Sequence, residues 1–67
     1  MSRKYRDVRR ILRKNGFVHV RTVGSHEYWA HADGRRTSVA GGGKSNRDVP
    51  AGTLRAMRQQ TGIEDLR

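Results

Sequence analysis

The chain reads as an α+β protein: a two-layer sandwich with a three-stranded antiparallel sheet and two helices on one face, in the order α-β-β-β-α. Three observations predict it. Val8, Ile11 and Leu12 recur at helical spacing near the start. Three runs of β-favouring residues follow between Phe17 and Ala40, punctuated by Gly24-Ser25 and Asp33-Gly34. Ala51, Leu54 and Met57 then return to three-residue spacing behind Pro50. A single sheet covered on one side is the simplest packing for that order.

The first helix is expected over about residues 3 to 14, with Ser2 as its cap and Asn15-Gly16 at its end, where a left-handed conformation is tolerated. In the first strand Val18, Val20 and Thr22 alternate with His19 and Arg21. Residues 26 to 32 form the second strand, Asp33-Gly34 supplies a hairpin turn, and residues 35 to 40 form the third. Tyr28, Ala30, Thr37 and Val39 are expected to face the helices together with Val18 and Val20. His19, Arg21, Trp29, His31, Arg36 and Ser38 are expected to face outward. A slip of one residue inverts such a facing. Residues 41 to 46 read as a flexible loop and a poor P-loop match, because no Gly spacing with a Lys-Ser/Thr pair opens a helix there. The second helix has Asp48 near its cap and Pro50 in its first turn, and ends at Gly62. Ile63 and Leu66 are expected to fold back as a hydrophobic tail. This layout is that of a double-stranded RNA-binding domain.

Composition narrows the function. The 67 residues carry a net charge of +9, from twelve arginines and three lysines against six acids. Seven of those cations lie between Arg3 and Lys14, opposed only by Asp7. Guanidinium forks match phosphate oxygens, so a nucleic acid or an acidic partner is the expected counterpart. A chain this size buries only ~60% of its unfolded surface, which places any active site on the exterior. With no cysteine there is neither a disulfide framework nor a thiolate zinc site. No apolar run approaches a membrane span and no secretory leader is visible, so a cytoplasmic protein is expected.

Gly24-Ser25-His26 is the motif with chemical content. A glycine and a serine before an imidazole, at a strand boundary, hold that ring outside the packed core. An imidazole's ordinary pKa of about 6.5 suits proton transfer at neutral pH. In so basic a protein the anion it meets is a phosphodiester. RNA can be cut without metal, because its own 2′-hydroxyl attacks the adjacent phosphorus once a base takes the proton and an acid protonates the departing 5′-oxygen. His26 is the candidate for both proton transfers. The amides of Gly24 and Ser25, with Arg21 and Arg36 on the exposed sheet face, are candidates to stabilise the charge that develops. Trp29 is a candidate to stack on an unpaired base, and Lys44 a further candidate to bind RNA. Glu27 is expected on the opposite side of its strand from His26, where it cannot orient that ring. No paired carboxylates suit a two-metal nuclease, so no cofactor is expected.

Several pieces together resemble a known family. They are a basic helix ending in Asn15-Gly16-Phe17, then Arg21, Gly24-Ser25-His26, Asp33-Gly34-Arg35, Val49-Pro50-Ala51-Gly52-Thr53-Leu54 and Gln60-Thr61-Gly62-Ile63. In that order and at those separations they resemble the HicA toxins of bacterial toxin–antitoxin pairs, with residues 1–67 as a single toxin domain. The resemblance implies a double-stranded-RNA-binding-like fold, ribosome-independent cleavage of mRNA, and a HicB-type antitoxin that covers the active site. It places the catalytic histidine at His26 and the motif glycine at Gly24. One departure stands out: the family's third strand often ends in a proline with a nearby histidine, where this chain has Ala40-Gly41-Gly42-Gly43. The alternatives are a non-catalytic RNA-binding module on the same basic helix, and an interaction subunit for an acidic protein.

Overall fold

The computed structural model describes residues 3–40 and 46–67. Helix α1 spans Tyr5–Lys14, strands β1, β2 and β3 span Val18–Val23, His26–Ala30 and Arg36–Val39, and helix α2 spans Ala51–Thr61. The strands form one antiparallel sheet in the order β1-β2-β3. This is the α+β arrangement that the hydrophobic spacing implies.

The apolar stripe of α1 becomes its buried face: Tyr5, Val8, Ile11 and Leu12 all point into the core. The helix starts two residues later than expected, with Lys4 as its N-cap, and Ser2 lies outside the described residues. The Lys4 amide donates to Asp7 Oδ2 at 3.3 Å, satisfying one group that a helix start leaves open. At the other end Gly16 takes φ +87°. Its N–H donates to the Arg13 carbonyl at 3.0 Å, and the Phe17 N–H reaches back to Leu12 at 2.9 Å. That bonding pair is a Schellman stop, closed by the buried Phe17 packing beyond it.

Helix α2 begins behind Pro50, which stands as N-cap rather than inside the first turn. Asp48 lies two residues earlier, in an antiparallel bridge with Lys4. Leu54 and Met57 are buried as expected, but Ala51 is exposed. Gly62 ends the helix at φ +73°, its N–H bonded to the Arg58 carbonyl at 2.7 Å. Ile63 and Leu66 fold back and are buried. Both helices reach the same face of the sheet: Arg9 of α1 bonds Glu27, and Gln60 of α2 accepts from Thr37 Oγ1 at 2.7 Å.

The facing of two strands departs from expectation. In β3 Thr37 and Val39 point inward, as alternation requires. In β2 the inward residues are Glu27 and Trp29, so Tyr28 faces outward. In β1 Val18 and Val20 are 63% and 61% exposed instead of packing against the helices. A bulge between His19 and Arg21 shifts the register at Val20, and His19 stands opposite Trp29 on the helix side. Two forces explain the inversion. Burying the indole removes more apolar surface from water than burying the smaller phenol ring. The carboxylate that must then enter beside it is met by Arg9, which comes from a different element. The β2–β3 turn also differs: Ala32-Asp33-Gly34 form a three-residue loop with Gly34 at φ +98°, and β2 stops at Ala30.

Candidate nucleic-acid interface

Gly24 and Ser25 form a two-residue turn between Val23 and His26, which are cross-strand partners. Gly24 takes φ +60°, the backbone that a two-residue turn with glycine in its first position needs. A Cβ placed on Gly24 meets nothing within 4 Å, so the turn itself accounts for the glycine rather than any crowding. The short turn fixes the phase of β2. His26, Tyr28 and Ala30 lie on the open face, while Glu27 and Trp29 lie under the helices.

His26 is exposed. It lines a groove of about 290 Å³ where β2 and β3 meet the flank of α2, with Ser38, Gly52, Thr53, Ala56 and Gln60 among the other walls. Among the described residues no side chain holds its ring by a hydrogen bond. Glu27 points away from it, as alternation along the strand requires. Gly24 and Ser25 lie in the turn just before this ring, both exposed, and the groove walls come from β3 and α2 instead.

The two candidate arginines share the open face with His26. Arg21 stands opposite Tyr28, and Arg36 opposite Ala30. Counting along β2 at ~3.3 Å per residue puts the Arg21 row about 7 Å from the His26 row and the Arg36 row about 13 Å away. Among the described residues neither arginine has a carboxylate partner. Arg21 places its guanidinium over the Tyr28 ring, 5.3 Å from the centroid. Tyr28, 37% exposed, lies on this face beside Arg21, whereas strand alternation in the sequence places it in the core.

Trp29 is a correction. It is 1% exposed, its Nε1 donates to Glu27 Oε1 at 3.3 Å, and both the His19 ring and the Arg13 guanidinium lie against it. No base can reach it, so its place is in the core. Lys44, with the rest of residues 41–45, lies outside the described residues.

Much of the basic charge is committed to the scaffold. Arg9 grips Glu27 through Nε at 3.0 and 3.1 Å and through Nη2 at 2.8 Å. Burial pushes the Glu27 carboxyl up, but the bonds and charge of Arg9 outweigh it and hold the group below its ordinary value of 4.5. Arg35 bonds the Asp33 carboxylate and the Thr61 carbonyl, and Lys4 pairs with Asp48. The Arg35 amide and guanidinium likewise hold Asp33 below its ordinary value of 3.8. The histidines do not converge: His19 bonds Thr22 Oγ1 at 2.8 Å on the helix side, while His31 packs on Phe17 and sits 3.0 Å from Asp33. No cluster of three metal-ligating side chains occurs among the described residues, and no helix there is long and apolar enough to cross a membrane.

A comparison with curated proteins yields no match. A comparison with family models matches residues 5–63 to the HicA toxin of bacterial toxin–antitoxin systems. That span runs from the first residue of α1, through the Gly24-Ser25 turn and His26, to the apolar tail beyond α2. Both helices and the whole sheet fall within that span, and the chain belongs to the HicA toxin family, whose members act opposite an antitoxin.

Proposed function

We propose that this toxin is a metal-independent, ribosome-independent endoribonuclease that cleaves mRNA, with His26 as its general acid–base. The observation that carries the proposal is the position of His26: an exposed imidazole on the open sheet face, lining a groove, with Arg21 and Arg36 on the same surface and no carboxylate paired to either among the described residues. Neutral His26 takes the proton from a ribose 2′-hydroxyl as that oxygen attacks the adjacent phosphorus. The bond from phosphorus to the 5′-oxygen breaks, the imidazolium returns a proton to that oxygen, and the products are a cyclic phosphate and a free 5′-hydroxyl. Assistance of this kind is worth roughly 10²–10⁴-fold. Arg21 and Arg36 offset the charge of the chain being cut, and the amides of Gly24 and Ser25 flank the reacting group. The antitoxin we propose is a HicB-type protein that lays acidic groups over His26 and these arginines.

The test is RNA decay in EDTA by the purified protein, with His26→Ala alongside. The variant is expected to lose cleavage and growth arrest while keeping the melting temperature of the wild type, since the ring is exposed. Retained cleavage in His26→Ala would move the chemistry to another residue. Binding of RNA with no cleavage by wild type would make the chain a non-catalytic RNA-binding module.

A further inference from the structure

We infer that Tyr28 is a base-stacking platform for single-stranded RNA, one nucleotide from the phosphate handled at His26, with Arg21 and Arg36 as its phosphate contacts. This rests on the nuclease reading above and names how that site holds its substrate.

Three observations carry it. First, one continuous track runs from the open face around the β3 edge to the flank of α2. The His26 groove shares Ser38 and Gln60 with a neighbouring depression of about 260 Å³ beside Tyr28. That depression shares Tyr28 and Arg36 with a third, of about 310 Å³, which reaches Arg21. Second, Tyr28 is the one large aromatic ring beside His26 that a base can reach, because Tyr5, Phe17 and Trp29 are buried. It lies two residues from His26 on the same face of β2, about 7 Å along the strand. That is of the order of one extended nucleotide. Third, the charge on this face is of one sign: the cross-strand rows that contain Tyr28 and Ala30 bring in Arg21 and Arg36, and no acid.

In the free protein the Arg21 guanidinium covers the Tyr28 ring. A base arriving on that ring takes its place, and the displaced guanidinium turns to the phosphate beside the same base. Duplex RNA cannot use this platform, since its bases present their faces only to stacked neighbours. An open sheet with an exposed aromatic suits splayed single strands.

The experiment measures fluorescence anisotropy of a labelled 2′-O-methyl RNA hexamer, which has no free 2′-hydroxyl and cannot be cut. Wild type is compared with Tyr28→Phe and Tyr28→Leu, each checked for native circular dichroism. Leucine is expected to weaken binding roughly 5- to 150-fold, the range for losing one stacked base, while phenylalanine binds like wild type. Tyr28→Leu should leave the salt dependence unchanged, whereas Arg21→Ala and Arg36→Ala each flatten its logarithmic slope by about 0.7. Equal binding by Tyr28→Leu and wild type overturns the platform, as does a duplex of the same sequence binding as tightly as the single strand. The two proposals fail separately. Tyr28-dependent binding in a protein that never cuts RNA sinks the nuclease and keeps the platform. His26-dependent cutting with Tyr28-independent binding does the reverse.

Discussion

Replacing Arg9 by methionine tests whether the basic helix serves the fold as well as the substrate. The substitution keeps the aliphatic stem and removes three hydrogen bonds, of 2.8 to 3.1 Å, to Glu27. The two side chains are only 11% and 12% exposed, so Glu27 is left as a nearly buried anion held by the Trp29 indole. Stranding one member of a buried pair costs ~3–5 kcal/mol, and the residual exposure here argues for the lower end, about 3 kcal/mol. A chain of 67 residues has a total stability of only ~3–10 kcal/mol. The loss should therefore lower the melting temperature by ~12–24 °C. Trp29, the only tryptophan, reports the transition by fluorescence in urea. The double variant Arg9→Met/Glu27→Leu removes the stranded charge, and most of the lost stability should return. A loss below ~1 kcal/mol in the single variant, or a double variant no better than the sum of the singles, would refute the assignment of Arg9 to the scaffold.

Two further outcomes follow from the same contacts. Because the folded protein holds Glu27 below its ordinary 4.5, the pair stabilises above that pH, and the contribution is lost as pH falls through the depressed folded value. Melting temperature should therefore drop on acidification below about pH 4.5, with a shallower acid slope in Arg9→Met; identical slopes would mean another carboxylate dominates. Alanine at Gly16 meets both a left-handed backbone and the His31 ring, whose Nε2 would lie 2.9 Å from the new methyl group, whereas alanine at Gly24 meets only the backbone constraint. Gly24→Ala is expected to cost ~1–2 kcal/mol and Gly16→Ala more, read by urea melts; equal losses would show that the ring simply moves aside.

What could be read from the sequence was whatever local spacing decides. The stripe of α1, the stops at Gly16 and Gly62, the inward Thr37 and Val39 and the apolar tail all follow from residues within a turn or two of one another. The exposure of His26 was legible for the same reason, since Gly24-Ser25 sets it beside a turn. The facing of β2 was not. It depends on Arg9 reaching Glu27 from eighteen residues away, and on a bulge that removes Val18 and Val20 from the core. Alternation without that bulge and ion pair puts Trp29 outside and Tyr28 inside, whereas the structure buries the indole and exposes the phenol ring. The contribution of Lys44 falls on residues outside those described.

The Gly24-Ser25 corner also acts as a vernier. A one-residue slip of β2 against both neighbours at this corner would swing every β2 side chain to the opposite side, taking His26 indoors and expelling Trp29 into water together. A frame slip that silenced the histidine would thus also empty the middle of the protein. Harmless drift at this corner has no intermediate to pass through, and an inactive toxin made this way would be an unstable one.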